Sequence, residues 1–318
     1  MWRTSTDRWC AWSPPPTARY SRRARSSIFQ RRTRTAAIRA PSSRSPTLSN
    51  TGSTSATTLS EPASSIKARW RALGTSRALI PYLTAGFPDF TRSLEAIRAV
   101  AAAGADFVEV GVPFSDPLAD GPTIQRTTQA ALEQGMTVPR VLELVRKADS
   151  PIPIIIMTYL NPVLSFGMPR FVEAARAAGA AGVLLTDLPA GADPAVEQTV
   201  RDSALDLIRL VAPTTDDRRL ETAVSGATGF VYLISRLGVT GARDTVPADL
   251  DAQVRRIRAV TRLPVAVGFG ISTPAQAAAA ARAADGVVVG SALLDALAQD
   301  GVAGLERLTR DLAAAVHG

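Results

Sequence analysis

From residue 66 onward, short apolar segments alternate with longer segments whose apolar residues recur at helical spacing. In segment 91–103, for example, Leu94, Ile97 and Val100 fall on one helical face. The apolar segments are nearly continuous runs of Val, Ile and Leu, which is typical of parallel strands buried on both faces. They predict strands at 78–84, 106–112, 152–160, 182–188, 205–212, 229–235, 264–269 and 286–289.

The intervening segments predict helices at 91–103, 123–134, 170–178, 194–203, 218–225, 250–261, 274–283 and 304–316. Eight strands that alternate with helices over about 250 residues match a single (β/α)8 barrel, the TIM barrel fold. A doubly wound open sheet is the alternative, but it usually has a glycine-rich first turn that residues 84–88, TAGFP, do not provide. We therefore predict a barrel with its active site at the carboxyl ends of the strands.

Residues 1–60 differ from the rest of the chain, because they are rich in Arg, Ser, Thr and Pro and have few aliphatic residues. Such a segment cannot bury enough apolar surface to fold, so we predict a disordered extension followed by a barrel domain at 61–318. The composition resembles an organelle transit peptide. It also fits upstream sequence translated from a start site placed too early. We favour this second origin, since the body is rich in Ala and Arg and poor in Lys, as in GC-rich bacterial genes.

The basic character of the chain is confined to this extension. Residues 1–60 hold eleven arginines, no lysine and one acid, Asp7, whereas residues 61–318 hold 25 basic and 27 acidic residues. The barrel domain therefore has no excess positive charge for binding a nucleic acid backbone. The chain has no run of eighteen apolar residues, so we also predict no membrane span and a cytoplasmic location.

The scarcity of Cys, His and Lys argues against several catalytic classes. The only cysteine is Cys10, in the extension, and the only histidine is His317, which we interpret as a solvated terminal residue. We therefore predict no His-based triad and no metal site. The only lysines, Lys67 and Lys147, precede the first strand and end a helix, which argues against a Schiff base in this chain.

Glu109 is the first candidate catalytic residue. It lies in the apolar run VEVGV at 108–112, where desolvation raises the pKa of a carboxyl group into the range suited to proton transfer near neutral pH. A structural, fully paired carboxylate is the alternative. Asp116 and Asp120 follow in a loop rich in Pro and Gly, where we expect a lower pKa and an ionised group. Spacing alone does not choose between these two aspartates.

Glycines lie at the ends of the last two predicted strands, at Gly268, Gly270 and Gly290. Glycine lets backbone N–H groups approach an anion closely, and the loops after strands 7 and 8 commonly bind phosphate in this fold. The same glycines are compatible with simple tight turns. We predict a phosphorylated small substrate, covered by a mobile lid formed by the polar, glycine-containing loop 236–243.

Residues 109–125, EVGVPFSDPLADGPTIQ, resemble the signature of the tryptophan synthase alpha chain family. So do IPYLTAG at 80–86, LTDLP at 185–189, YLISRLGVTG at 232–241 and GFGI at 268–271. The similarity runs in order and without large gaps from about residue 66 to the C-terminus. It implies a TIM barrel lyase of tryptophan biosynthesis that cleaves indole-3-glycerol phosphate to indole and glyceraldehyde 3-phosphate by a retro-aldol reaction.

The resemblance implies roles for particular residues. Glu109 matches the family's catalytic glutamate, which shuttles protons at indole C3 and at the glycerol hydroxyl next to the ring. Asp120, rather than Asp116, matches the catalytic aspartate that holds the indole N–H. Tyr232, which could otherwise be ordinary barrel packing, matches a tyrosine near the indole, and Thr240 matches the lid threonine that bonds to the aspartate. The other implied substrate contacts are Gly241, Phe269, Gly270, Gly290 and Ser291.

The resemblance also implies a partner, the pyridoxal phosphate-dependent beta chain, in an αββα heterotetramer in which indole passes through a tunnel. No cofactor is implied for this chain itself. Segments 113–122 and 161–166 are the expected contacts with the beta chain. Phe230 stands where some members have tyrosine, which would remove one hydroxyl near the substrate.

Three alternatives stay open. A sugar-phosphate isomerase of histidine biosynthesis would also be a phosphate-binding barrel with paired acids, but at the ends of strands 1 and 5, where this chain has Thr84 and Ala212. A silent barrel that only activates a partner would not need both Glu109 and Asp120. A stand-alone lyase that releases free indole has no sequence feature that separates it from a channelled subunit.

Overall fold

The computed structural model describes residues 65–234, 248–268 and 270–318. The predictions for the extension 1–60, for the lid 236–243 and for Phe269 lie outside the described residues. Within the residues that are described, no helix is long and apolar enough to cross a membrane.

Eight parallel strands close into a barrel in chain order, with the last strand hydrogen-bonded to the first. They are β1 (Ala78–Thr84), β2 (Val108–Gly111), β3 (Ile154–Thr158), β4 (Ala180–Leu185), β5 (Asp206–Val211), β6 (Val231–Ile234), β7 (Val265–Gly268) and β8 (Gly286–Val289). All residues of β1, β2, β7 and β8 are buried. Such strands have one face in the barrel interior and the other against helices. The predicted barrel is confirmed.

The helices of the described chain surround this barrel. They are α1 (Ile66–Leu73), α2 (Phe90–Ala102), α3 (Pro122–Glu133), α4 (Val138–Ala148), α5 (Leu160–Phe166), α6 (Met168–Ala177), α7 (Pro194–Arg201), α8 (Asp217–Val224), α9 (Leu250–Val260), α10 (Pro274–Ala283) and α11 (Ser291–His317). Helices α1 and α5 are absent from the set predicted from sequence, and α4 was expected only as a helix that ends at Lys147. The predicted helix 304–316 is the second part of α11, which is kinked at Gly301.

The third strand ends two residues earlier than predicted, because helix α5 begins at Leu160. The Asp187 carboxylate, after β4, accepts the N–H of Leu160 at 2.7 Å. Asp187 therefore satisfies one of the free donors at the start of a helix, a contact across 27 residues that no local pattern reveals.

Helix α1 closes the amino end of the barrel. Ile66 is fully buried, and the Trp70 ring packs against Phe107 and Phe230 with ring centroids 5.0 and 6.0 Å apart. Phe230 is therefore a core residue at the base of the barrel, and the expectation that it stands near the substrate is wrong. A packed base leaves the carboxyl ends of the strands as the end where a substrate can enter.

His317 is more than a solvated terminal residue. Its Nε2 lies 2.9 Å from Oδ2 of Asp106, a buried carboxylate just before β2. The same carboxylate accepts the backbone N–H of Leu79 at 2.7 Å and a guanidinium N–H of Arg69 at 2.6 Å. His317 thus joins the C-terminal helix to α1 and β1, far from the open end, which leaves it no place in the chemistry.

Candidate active site

A cavity of about 320 Å³ opens at the carboxyl ends of the strands. It brings together six residues that the sequence singled out: Glu109, Asp120, Tyr232, Gly270, Gly290 and Ser291. Three further candidates, Thr240, Gly241 and Phe269, lie outside the described residues. Among these six, the carboxylates of Glu109 and Asp120, the ring of Tyr232 and the start of α11 thus line one enclosure.

Glu109 lies on β2 and is fully buried. Neither of its carboxylate oxygens has a hydrogen-bond partner among the described residues. Burial raises the pKa of Glu109 to about 8, as its apolar strand predicts. At pH 7 the side chain is therefore mostly a neutral acid with a proton to donate. Its carboxyl oxygens line the cavity and can form hydrogen bonds with a bound substrate.

Asp120 is also buried, but it differs from Glu109 in one contact. Burial raises the pKa of Asp120 to about 6, and a hydrogen bond from Tyr159 opposes that rise. Its pKa is thus lower than that of Glu109, as predicted, and the group is mostly ionised at pH 7, although it does not sit in an open loop. Asp116 is exposed and bonds to its neighbour Ser115. Burial therefore distinguishes the two aspartates that spacing could not.

Tyr159, which directly precedes α5, is a site residue that the sequence analysis did not predict. Its hydroxyl oxygen accepts the backbone N–H of Ala119 at 2.9 Å. The single hydroxyl proton is then free to be donated to the Asp120 carboxylate, which stabilises the charged form. Tyr159 therefore ties down the chain next to Asp120 and favours the ionised form of its carboxylate.

We expect Tyr159→Phe to move the pKa of Asp120 upward from about 6, because the carboxylate loses its hydrogen bond. The acidic limb of the pH profile of kcat/KM should move to higher pH, with the largest loss of activity near pH 6. Tyr232→Phe is the matched control, since it removes a cavity hydroxyl that does not bond to Asp120. An acidic limb that stays in place in Tyr159→Phe would contradict this role.

Two tyrosines lie over glycines at the ends of strands. A Cβ at Gly111 would collide with the hydroxyl of Tyr82, and a Cβ at Gly268 would collide with that of Tyr232. These two glycines are therefore required for the tyrosine rings to lie across the cavity. Both rings line the cavity, and both are nearly fully buried.

The start of α11 supplies free backbone donors to the cavity. Gly290 is its N-cap, and no side chain caps this helix among the described residues. Helix α10 differs, since Thr273 and Gln276 form a capping box that occupies its first donors. The uncapped N-terminus at Gly290 and Ser291 is thus the better anion site of the two, because it offers N–H groups and the positive end of the helix dipole.

Among residues 65–234, 248–268 and 270–318, no group of three or more His, Cys, Asp or Glu side chains is arranged to hold a metal ion. The cavity offers acid–base groups, hydroxyls and helix donors. These are the parts that proton transfer on a phosphorylated substrate requires.

Known proteins resemble this chain over the whole barrel. The family model described as tryptophan synthase alpha chain matches residues 71–317. The tryptophan synthase alpha chain of Gluconacetobacter diazotrophicus is 50% identical over 243 residues, which cover 74% of this chain and 89% of the relative. That of Chloroflexus aurantiacus is 46% identical over 256 residues, which cover 78% of this chain and 96% of the relative.

Solved structures agree with the sequence relatives. A chain of Mycobacterium tuberculosis tryptophan synthase superposes with a TM-score of 0.75 at 41% identity, covering 80% of this chain and 99% of that one. The tryptophan synthase alpha subunit of Legionella pneumophila superposes with a TM-score of 0.73 at 34% identity, covering 79% of this chain and 97% of that one. The chain belongs to the tryptophan synthase alpha chain family.

Proposed function

We propose that Glu109 and Asp120 of this family member carry out the retro-aldol cleavage of indole-3-glycerol phosphate to indole and glyceraldehyde 3-phosphate, a step of tryptophan biosynthesis. The observation that supports this most directly is the pair of buried carboxylates with pKa values of about 8 and about 6 in one cavity. Near neutral pH, one is an acid and the other an anion, which divides the proton transfer and the charge stabilisation between them.

Glu109 moves the protons in this mechanism. Its neutral carboxyl group donates a proton to C3 of the indole ring, and positive charge develops on the ring nitrogen. The bond between C3 and the first carbon of the arm then breaks, and its electron pair returns to the ring. The Glu109 carboxylate accepts the proton of the hydroxyl on that first carbon, which becomes the aldehyde. The residue ends the cycle protonated, so no other proton donor is needed.

Asp120 and the start of α11 hold the two ends of the substrate. The ionised Asp120 carboxylate accepts the indole N–H and stabilises the positive charge that develops there. Gly290, Ser291 and Gly270 bind the phosphate through backbone N–H groups. Tyr232 packs near the indole. In the same proposal, Gly241 and Phe269 complete the substrate contacts, and Thr240 bonds to Asp120 when the lid closes.

The loop between β2 and α3 is the surface that we propose for the beta chain. Leu118, two residues before Asp120, is 92% exposed, and Leu164 on α5 is 49% exposed. Both leucines lie in the segments that the family resemblance assigns to the partner, and this coincidence favours a protein contact there. The proposed partner carries pyridoxal phosphate and accepts indole in a cytoplasmic αββα assembly. Segments 113–122 and 161–166 form the contact.

We expect Leu118→Asp to raise the Kd for the beta chain by about 30-fold or more, since a charge would replace a central apolar contact. Isothermal titration of the two chains measures this. Ala314→Asp, which places the same charge at an exposed site near the base of the barrel, should bind the beta chain normally. Unchanged binding by Leu118→Asp would place the contact elsewhere.

Cleavage of indole-3-glycerol phosphate by residues 60–318, with and without a beta chain, tests the proposed function. Slow cleavage that the beta chain strongly accelerates supports a channelled subunit and a barrel domain that does not need the extension. Fast cleavage without the partner would replace this proposal by a stand-alone lyase. Absence of cleavage in both conditions, with the full-length chain equally inactive, would leave a silent scaffold or another substrate.

A further inference from the structure

Tyr82 lies between the two ends of the cavity. Its strand, β1, is hydrogen-bonded to β2 on one side and to β8 on the other. On the β2 side, Tyr82 is level with Glu109. On the β8 side, Pro81 pairs with Val289. The residues that follow these two, Tyr82 and Gly290, therefore lie at the same level.

The ring of Tyr82 reaches both neighbours. A Cβ added at Gly290 would lie 3.3 Å from Cδ1 of Tyr82, so the ring packs on the residue that caps α11. The hydroxyl lies over Gly111, two residues beyond Glu109 on β2. The side chain therefore extends from the proposed phosphate site towards the proposed acid.

We propose that the Tyr82 hydroxyl binds the second hydroxyl of the substrate's glycerol arm, the one on the middle carbon, and so makes Tyr82 a specificity-determining residue. This inference rests on the proposed function. With the phosphate at α11 and the first hydroxyl at Glu109, the middle carbon must cross the surface of Tyr82. The reaction uses only the first hydroxyl, so the second one needs a partner that takes no part in the chemistry.

The surroundings of Tyr82 suit a neutral donor. Burial and then the negative charge of Asp120 raise the pKa of Tyr82 above its ordinary value, and a side-chain hydrogen bond with Thr84 opposes this rise only in part. The hydroxyl therefore keeps its proton throughout the working pH range. The lining of the cavity is mostly apolar and includes Met157, Leu210 and Val288. A substrate hydroxyl buried there without a hydrogen bond would lose its bonds to water and gain none, which weakens binding.

Tyr82→Phe, which removes one oxygen and leaves the ring, tests this inference. The full-length chain with its beta chain is assayed on indole-3-glycerol phosphate and on the analogue that lacks only the middle hydroxyl. We expect kcat/KM on the normal substrate to fall about tenfold in the variant, as for one uncharged hydrogen bond. For the wild type, kcat/KM should be lower on the analogue than on the normal substrate by a similar factor. For the variant, kcat/KM should be the same on both compounds.

Binding of indole-3-propanol phosphate, which lacks both hydroxyls, provides the structural control. Its Kd should be the same for wild type and Tyr82→Phe. In Tyr232→Phe, by contrast, kcat/KM should change by the same factor on the normal substrate and on the deoxy analogue, because Tyr232 is proposed to pack near the indole.

Two results would overturn the inference. If Tyr82→Phe cleaves the normal substrate as wild type does, the hydroxyl makes no contact with the arm. If Tyr82→Phe raises the Kd of indole-3-propanol phosphate by the same factor as it lowers kcat/KM on the substrate, Tyr82 only shapes the cavity. A wild-type chain that cleaves neither compound would instead remove the proposed function.

Discussion

Glu109→Gln is expected to lower kcat of indole-3-glycerol phosphate cleavage by a factor of at least about 10²–10⁴, the usual contribution of a general acid. Glutamine has nearly the same shape as the neutral glutamic acid that burial favours, with a pKa of about 8. It cannot donate a proton to indole C3 or accept one from the glycerol hydroxyl. Turnover should therefore fail while the cavity keeps its shape.

Binding and stability separate this loss from a folding defect. The Kd of indole-3-propanol phosphate should change little, because that compound has no hydroxyl for Glu109 to bind. The thermal midpoint should also stay near that of wild type. Turnover by Glu109→Gln at the wild-type rate would remove Glu109 from the mechanism, and loss of analogue binding together with turnover would indicate a structural role.

The pH dependence gives a second test of the same residue. Glu109 must start the reaction protonated, so activity is present below its pKa and is lost as pH rises through about 8. Asp120 must be ionised, so activity is lost as pH falls through about 6. The profile of kcat/KM should therefore be bell-shaped with its maximum near pH 7, and a profile that is flat from pH 5 to pH 9 would contradict both assignments.

The sequence pattern was sufficient for the barrel because burial on both faces of a parallel sheet leaves a local signature. The continuous apolar runs located all eight strands. The same argument applied to Glu109, since a carboxylate between Val108 and Val110 has apolar neighbours in any parallel sheet. Here the environment of the side chain depends mainly on residues adjacent in the chain.

Other features depend on residues far apart in sequence, and local patterns did not predict them. The choice between Asp116 and Asp120 depends on burial, and the Tyr159 contact with Ala119 joins residues 40 positions apart. The expectation for Phe230 was wrong because residues at the two ends of a strand lie at opposite ends of the barrel. Its position just before Val231 puts it at the base with Trp70, whereas Tyr232, two residues later, faces the cavity.

The uncapped start of α11 was predicted only in part. The glycine at position 290 indicated a close approach of backbone to an anion, but the sequence placed the helix at 304–316. The structure begins the helix at Ser291, so the N–H groups after Gly290 belong to a helix N-terminus rather than to an isolated turn. Gly301, with a φ of 67°, separates the first part of this helix from the second part that was predicted.

Asp120→Asn is expected to lower kcat by about 10²–10³, the usual cost of removing one group that stabilises a developing charge. The amide can still accept the indole N–H through its oxygen, so substrate binding should weaken less than turnover. It carries no negative charge, however, and cannot balance the positive charge on the ring nitrogen after C3 is protonated. The steady-state kcat and KM of the variant measure this difference.

The pH profile distinguishes loss of the charge from a general disturbance of the loop. Asp120→Asn should lose the acidic limb near pH 6, because the group that titrates there is absent, while the basic limb from Glu109 stays near pH 8. Tyr159→Phe, which keeps the carboxylate, should retain an acidic limb at higher pH. If Asp120→Asn keeps its acidic limb near pH 6, another group titrates there and the ionised form of Asp120 is not what activity requires.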